Sequence, residues 1–194
     1  MKIGVLALQG DFIEHRHSLD SLGAESMEVR LPAQLEGLDA LIIPGGESTT
    51  IGKLMVAYGF MDALQEFARE KAIWGTCAGA ILLSQDAGRE QDLLKLMDIQ
   101  IARNAFGRQV DSFETELQAP FLTPAEPPYH AVFIRAPIIT NVFGRARTLI
   151  TLDNGRVVAA RQGKLLATSF HPELTRDTRF HRYFLEMAQS PHAE

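Results

Sequence analysis

Cysteine, tryptophan and long apolar runs are scarce in this sequence. A single cysteine among 194 residues excludes an internal disulfide and is typical of proteins kept in a reducing compartment. No apolar run approaches the ~20 residues that a membrane-spanning helix needs, so we expect no contact with a membrane. The apolar stretch after Met1-Lys2 is too short for a signal peptide and charge follows it, which predicts a cytoplasmic location.

Positive charge is also in short supply. The 19 lysines and arginines are outnumbered by 24 acidic residues, giving a net charge of −5, and they form no basic run. A nucleic-acid partner is therefore not expected. The chain is long enough for one domain with a substantial core, and it shows neither an internal repeat nor a domain boundary. We therefore predict a single domain over residues 1–194.

The order of the apolar segments predicts an α/β fold. In the first half, strands are predicted at 3–8, 26–31, 40–43 and just before Cys77; helices are predicted after Asp11, after a cap at Ser48 or Thr49, and over 60–70. This order predicts a mostly parallel sheet with helices on both faces, a flavodoxin-like three-layer sandwich. The second half predicts strands at 113–117 and 129–134, an antiparallel meander at 148–152, 157–160 and 165–170, and a helix at 178–189.

The stretch 72–83 organises the chain. It consists of an apolar run, a tight turn with the only cysteine, and a second apolar run. Gly75 and Gly79 bracket Cys77 in a G-x-C-x-G pattern, which is that of a nucleophile elbow with sulfur in place of a hydroxyl. Such a turn exposes the sulfur at the carboxyl end of a sheet and at a helix N-terminus, where a thiol loses its proton more readily. The alternative is a small buried hydrophobe, the usual role of a lone cysteine.

His171 and Glu173 are the predicted base and orienting group. They stand two residues apart at the end of the last predicted strand, and alternate residues of an extended chain share a face. A carboxylate there can hold one imidazole nitrogen while the other faces a nucleophile. A strand-end histidine beside a surface glutamate is the alternative, and the accompanying cysteine elbow favours the catalytic interpretation.

Backbone N–H groups of two segments are predicted to stabilise a developing oxyanion. Gly45-Gly46 precedes a helix, and Ala78 directly follows Cys77. Both segments follow strands of the predicted sheet, so both are expected at its carboxyl edge. A glycine-rich strand-to-helix turn of purely structural purpose is the alternative for Gly45-Gly46.

The six histidines do not indicate a metal centre. His15 and His17 are predicted on the solvated side of a helix, and His130, His181 and His192 are predicted to be isolated. One cysteine with scattered histidines matches no zinc-binding spacing, so no metal and no cofactor are expected.

Several segments together resemble the class I, or triad, glutamine amidotransferases. The elbow at Cys77 and the His171-Pro172-Glu173 segment carry the general resemblance. Four further stretches make the chain similar to the glutaminase subunits of pyridoxal 5′-phosphate synthases: LQGD at 8–11, PGGESTT at 44–50, RNAFGRQVDSFE at 103–114 and FIRAP at 133–137. The match extends from the first strand to the final helix, so the resemblance implies one class I amidotransferase domain over 1–194.

The resemblance implies a glutaminase reaction and a set of site residues. Cys77 would attack the side-chain amide of L-glutamine and form a thioester, with His171 moving the protons and Glu173 orienting His171. The backbone of Gly46 and Ala78 would hold the oxyanion. The substrate contacts implied by the resemblance are Gly46, Glu47, Ser48, Arg103, Ile134 and Arg135, although a surface or interface ion pair is an alternative role for the two arginine side chains.

The resemblance also implies a partner that consumes ammonia. In this family it is the synthase subunit, a (β/α)₈ barrel that makes pyridoxal 5′-phosphate. We hypothesise that the free chain is sluggish until docking orders the Gln9-Gly10 and Gly45-Gly46 loops, because glycine-rich peptides flip cheaply.

Three other functions stay open at the level of sequence. A glutaminase of another synthase, in histidine or nucleotide synthesis, is disfavoured by the 103–114 stretch. A non-catalytic cysteine sensor of the same superfamily would lack the carboxylate two residues after the histidine. A regulatory subunit that binds without turnover would need a broken triad.

Overall fold

The structure is a computed structural model that describes residues 1–103 and 112–190. Within these residues the strands are β1 Lys2–Leu6, β2 Glu25–Val29, β3 Ala40–Ile43, β4 Ala72–Thr76, β5 Ile99–Ala102, β6 Ser112–Leu117, β7 Tyr129–Ile134, β8 Ile138–Val142, β9 Arg147–Thr151, β10 Val157–Gln162 and β11 Leu165–Thr168. The helices are α1 Phe12–Ser21, α2 Ser48–Ala57, α3 Phe60–Phe67, α4 Ala78–Leu83 and α5 Arg179–Gln189, with 3₁₀ turns at Pro32–Leu35 and Pro172–Leu174.

One mixed sheet forms the centre of the fold. Its strand order is β2-β1-β3-β4-β11-β10-β8-β5, and β9 pairs with β10 outside this path. The first five strands are parallel to one another, and β10, β8, β5 and β9 pair antiparallel. Strands β6 and β7 form a separate antiparallel hairpin. The predicted fold, a parallel sheet with an antiparallel C-terminal meander, is confirmed.

Two hydrophobic clusters cover the two faces of the sheet. Alternate residues of β3 divide between them: Leu41 and Ile43 belong to one cluster, and Ala40 and Ile42 to the other. Helices α2, α3 and α4 pack on the first face, and α1 and α5 pack on the second. Because a strand buried on both faces must be apolar throughout, this layering accounts for the unbroken apolar runs of the sequence. The three-layer arrangement is therefore also as predicted.

Local differences from the prediction are confined to short or polar elements. Strands β5 and β8 were not predicted, because they are short and β8 changes from buried to exposed residues along its length. Helix α3 ends at Phe67 rather than at residue 70. The cap of α2 is Glu47, whose carboxylate accepts hydrogen bonds from the N–H groups of Thr49 and Thr50; the prediction of Ser48 or Thr49 as the cap is wrong.

The parallel strands deliver four loops to one edge of the sheet. Strands β1, β3, β4 and β11 run in the same direction, so the segments that follow them lie at their carboxyl ends. These segments contain Gln9, Gly45, Cys77 and His171.

No helix within the described residues is long and apolar enough to cross a bilayer.

Candidate active site

Cys77 occupies a strained turn between β4 and α4. Its backbone has φ 47° and ψ −103°, a left-handed φ that residues other than glycine rarely adopt. The flanking glycines are required by space: a Cβ on Gly79 would lie 2.0 Å from the carbonyl oxygen of Ile43, and one on Gly75 would lie 2.4 Å from the carbonyl of Gly79. The strand-turn-helix geometry predicted for the G-x-C-x-G pattern is therefore present.

The imidazole of His171 connects Cys77 to Glu173. Its Nδ1 lies 2.7 Å from Oε1 of Glu173, and the ring is also hydrogen-bonded to the thiol of Cys77. Since Nδ1 is taken by the carboxylate, Nε2 is the nitrogen that faces the sulfur. The three side chains predicted as nucleophile, base and orienting group thus lie in one line. Their means of approach differs from the prediction, because the 3₁₀ turn at Pro172–Leu174, rather than extended chain, brings Glu173 back to His171.

Burial and hydrogen bonding determine the protonation of His171 and Glu173. Burial disfavours a charge on His171, but its hydrogen bonds to Cys77 and Glu173 outweigh burial and raise the pKa of the imidazole to about 10. Burial raises the pKa of Glu173, and the hydrogen bond from His171 opposes that rise. The resting site therefore favours an imidazolium, while the buried carboxyl depends on nearby donors to stay ionised.

The two predicted oxyanion segments both line a cavity that contains the thiol. This cavity has a volume of about 380 Å³, and Gly46, Cys77 and Ala78 are among its lining residues. Gly46 has φ +148°, and a Cβ there would lie 2.7 Å from Oε1 of Gln9. The backbone N–H of Glu47 donates to the same oxygen at 2.8 Å. The loop after β1 thus holds the loop after β3 in place beside the sulfur.

All the residues that the resemblance implied for substrate binding line the same cavity. They are Gly46, Glu47, Ser48, Arg103, Ile134 and Arg135. The guanidinium of Arg103 is 2.5 Å from Oε1 of Glu47 and also donates to Thr49 at 3.0 Å. Arg135 has a left-handed φ of 42°, so its backbone makes a sharp bend at the cavity wall. Most of the RNAFGRQVDSFE stretch, residues 104–111, lies outside the described residues.

Some cavity residues were not predicted. Gln9, Asp11, Ile81, Pro137 and Leu174 also line the cavity. Oδ2 of Asp11 lies 3.6 Å from Nδ1 of His171, because both residues follow strands whose carboxyl ends lie at the same edge of the sheet. Asp11, His171 and Glu173 together place donor atoms within 4.8 Å of one another, a spacing that suits a cation. A metal there would compete with the His171–Glu173 hydrogen bond, and the absence of a metal stays a prediction.

Several histidine predictions are wrong. His15 is fully buried rather than solvated, because the face of α1 that carries it packs on the sheet. His181 is fully buried and not isolated: its Nε2 lies 3.0 Å from Nδ1 of His15. His130 is also not isolated, since its ring nitrogens contact the carboxylates of Glu114 and Glu116. His192 lies outside the described residues.

Comparisons with known proteins agree with this geometry. The model of a family described as the SNO glutamine amidotransferase family matches residues 5–190. A pyridoxal 5′-phosphate synthase subunit PdxT of Herpetosiphon aurantiacus is 60% identical over 190 residues, which cover 95% of this chain and 99% of that protein. A subunit of the same description from a Roseiflexus species is 54% identical over 191 residues, covering 96% of this chain and 100% of that protein.

Solved structures with this fold are also known. One described as a glutamine amidotransferase superposes with a TM-score of 0.90 at 51% identity, covering 97% of this chain and 99% of that chain. A structure described as PurLQS from Thermotoga maritima superposes with a TM-score of 0.67 at 17% identity, covering 95% of this chain and 97% of that chain. The second likeness concerns the fold alone.

Proposed function

The chain belongs to the SNO glutamine amidotransferase family, and on this basis we propose that it is the glutaminase subunit of a pyridoxal 5′-phosphate synthase. It hydrolyses L-glutamine to L-glutamate and ammonia. The observation that carries the proposal is the contact of thiol, imidazole and carboxylate, with the thiol and the imidazole lining one cavity and the carboxylate buried behind them. The two relatives named above, at 60% and 54% identity, are described as PdxT subunits. Neither of them is described as the glutaminase of a different synthase, which is the alternative.

The reaction begins with the thiolate of Cys77. The sulfur attacks the carbonyl carbon of the glutamine side-chain amide, and the C=O π electrons move to oxygen to give a tetrahedral intermediate. His171, protonated at Nε2, transfers that proton to the amide nitrogen as the C–N bond breaks. Ammonia departs and a thioester of glutamate remains on Cys77.

Hydrolysis of the thioester uses the same imidazole in reverse. Neutral His171 takes a proton from water through Nε2, and the resulting hydroxide attacks the thioester carbonyl. The C–S bond then breaks, which releases glutamate and restores the thiolate beside the imidazolium. Glu173 fixes the ring orientation by accepting a hydrogen bond from Nδ1, and its charge stabilises the imidazolium in both halves of the cycle.

The oxyanion of both tetrahedral intermediates is assigned to backbone donors. The N–H of Ala78 follows the nucleophile directly, and the N–H of Gly46 belongs to the facing loop of the cavity. Loss of one such donor typically lowers kcat by ~10²–10³-fold in enzymes that form tetrahedral intermediates. The contact between Gln9 and the backbone of Glu47 supports this role, because it restrains the loop that carries one donor.

The cavity suits a small zwitterion such as glutamine. Its volume of about 380 Å³ is within the range for small-molecule sites. The ion pair of Arg103 and Glu47 presents one charge for the α-carboxylate and one for the α-ammonium group. Ser48 adds a hydroxyl, and the bend at Ile134-Arg135 closes the cavity on the other side.

The proposed partner is the (β/α)₈ barrel subunit of the synthase. Ammonia released into neutral water becomes mostly ammonium and loses its nucleophilicity, so a consumer must cover the cavity. Exposed apolar side chains that line the cavity support docking there: Leu174 is 44% exposed and Ile134 38%. We propose that docking orders the glycine loops of Gln9-Gly10 and Gly45-Gly46 and thereby raises the rate.

Three further features complete the proposal. One domain over 1–194 is supported by the family model, which matches residues 5–190. A cytoplasmic location is proposed because the mechanism needs the thiol of Cys77 in reduced form, which reducing compartments maintain. No cofactor enters the reaction, since each step moves only protons and an acyl group.

The test is ammonia release from glutamine, measured with and without the synthase subunit. Wild type should release ammonia and glutamate in equal amounts, faster with the partner present, and Cys77→Ala should release none. Equal rates with and without the partner would refute activation by docking. Substantial turnover by Cys77→Ala would remove Cys77 from its role, and a chain that is inactive under all conditions would refute the glutaminase function.

A further inference from the structure

A network of buried polar side chains meets the second oxygen of Glu173. Nε2 of His15 lies 3.4 Å from Oε2 of Glu173 and 3.1 Å from Oγ1 of Thr76. Nδ1 of His15 lies 3.0 Å from Nε2 of His181. Both histidines and Thr76 are fully buried, and both rings meet Trp74 edge-on, with ring centroids 5.7 and 5.0 Å away. The reaction as described above uses none of them.

The directions of the hydrogen bonds in this network follow from a comparison of the two possible tautomers of His15. If Nδ1 of His15 carried the proton, the lone pair of its Nε2 would face the carboxylate, and His181 would bury an unpaired N–H at its own Nδ1. With the proton on Nε2, His15 donates toward Glu173 and Thr76, and Nε2–H of His181 donates to His15. The second arrangement leaves Nδ1 of His181 as an acceptor without a hydrogen bond, and it directs the Nε2–H of His15 toward Oε2 of Glu173, which has no other hydrogen-bond partner among the described residues. It is therefore the favoured one.

We propose, resting on the glutaminase function proposed above, that His15 is a positioning residue of the triad. Its Nε2–H holds Oε2 of Glu173, fixes the plane of the carboxyl group and keeps it ionised, so that Oε1 stays available to His171. His181 acts one step further away, by fixing the tautomer of His15. The line of side chains thus extends from Cys77 through His171, Glu173 and His15 to His181.

Electrostatics favour an uncharged donor at this position. Burial, together with the charges of His181 and His171, lowers the pKa of His15 well below its ordinary value, and burial lowers the pKa of His181 to about 3. His15 is therefore neutral during turnover and adds a donor without adding a cation that would compete with His171. The other titratable groups that interact with Glu173 are Asp11 and Tyr129. Neither of them donates to Oε2, which has no hydrogen-bond partner within the described residues, and Nε2 of His15 approaches it to 3.4 Å.

The variants that test this proposal remove or replace the Nε2–H donor of His15. His15→Leu removes it, and His15→Gln offers an amide N–H near the position of Nε2. His17→Leu is the matched control, because His17 lies on the same helix and is exposed. With the synthase subunit present, we expect His15→Leu to lower kcat by about 10–100-fold with little change in KM, since a hydrogen bond to a charged group is lost. His15→Gln should recover most of kcat, and His17→Leu should match wild type.

Two pH-dependent readouts separate positioning from mere structural support. Without the donor, Glu173 takes up a proton at higher pH, so the acidic limb of the kcat profile of His15→Leu should move to higher pH. The pH profile of the iodoacetamide alkylation rate should also move to higher pH, because a neutral Glu173 stabilises the imidazolium of His171 less and the thiolate then loses part of its partner's charge. Cys77 is the only cysteine in the sequence, so the alkylation reports on it alone. Both profiles of His15→Gln should resemble those of wild type.

A wild-type rate and pH profile for His15→Leu would overturn the proposal. The proposal would also be overturned if His15→Gln lost as much kcat as His15→Leu while both pH profiles stayed unchanged, since only a packing role of His15 gives that result. If His15→Leu does not fold, as judged by thermal melting, His181→Leu takes its place and should show the same shift at smaller amplitude; an unshifted profile would then be decisive against the proposal. Wild type that releases no ammonia would instead refute the glutaminase function itself.

Discussion

Replacing Gly45 with alanine should insert a wedge against the catalytic imidazole. Gly45 has no left-handed φ, so alanine fits its backbone without strain. The new Cβ would lie 2.6 Å from Cε1 of His171, 3.1 Å from its Nδ1 and 3.0 Å from Oδ2 of Asp11. Since the ring is the closest neighbour, most of the displacement must be taken up by His171.

The magnitude follows from the contact distance. Ordinary contact begins at 3.4 Å, so the ring or the loop must retreat by about 0.8 Å from an initial separation of 2.6 Å. A misplacement of ~1 Å in a catalytic site can cost ~10²-fold in rate. We therefore expect Gly45→Ala to lower kcat by about 10–100-fold, which corresponds to ~1.4–2.7 kcal/mol of activation free energy. KM should change less, because Gly45 is not among the described residues that line the cavity.

Steady-state ammonia release measures this effect, with thermal melting as a check on folding. Gly52→Ala provides a matched control: its Cβ would meet the carbonyl oxygen of Asp92 at 3.0 Å, on helix α2 and away from the imidazole. A wild-type kcat for Gly45→Ala would show that His171 can move by most of an ångström without loss, and would refute the steric reasoning. A kcat loss of equal size in Gly52→Ala would show that the effect is not specific to the wedge against the imidazole.

Three further outcomes are expected. Glu173→Gln keeps the size of the side chain but loses its charge, and ammonia release should show kcat reduced by at least ~10²-fold; a smaller loss would contradict its orienting role. The pKa of His171 is about 10 in the folded chain, above its ordinary 6.5, so the stability that its protonation contributes is complete below pH 6.5 and is lost as the pH rises to 10. The difference in melting temperature between wild type and His171→Gln should therefore shrink between pH 6.5 and 10. A difference that stays constant over this interval would count against the raised pKa. Arg103→Ala should raise KM for glutamine about tenfold with a smaller change in kcat, and an unchanged KM would remove the Arg103–Glu47 pair from substrate binding.

The parts of the site that were predictable share a physical cause. A Cβ on Gly75 would clash with the backbone of α4, and one on Gly79 would clash with the backbone of β3, so these two glycines indicate the elbow. Loops that follow parallel strands meet at one edge, so the segments at Gly45-Gly46 and Cys77 were predictable as neighbours; the parallel pairing of β11 with β4, which brings His171 to Cys77, was not predicted. The core strands were equally readable, because burial on both faces enforces unbroken apolar runs.

The parts that escaped prediction depend on orientation rather than on composition. His15 and His17 are two positions apart on α1 and therefore point to different sides, and the sequence around them is polar on both. Leu19, four residues after His15 and fully buried, was the available signal that this side of the helix faces the sheet. His181 lies on the buried face of α5, whose apolar stripe was predicted, but its partner comes from the other end of the chain.

The same sheet order has a consequence for when the thiol becomes reactive. Strand β4 is flanked by β3, which precedes it, and by β11, which a ribosome delivers only after most of the other strands have been made. A nascent polypeptide therefore carries the sulfur long before the imidazole of His171 stands beside it. Amide cleavage cannot start until β11 has paired with β4, so partially synthesised chains do not hydrolyse glutamine.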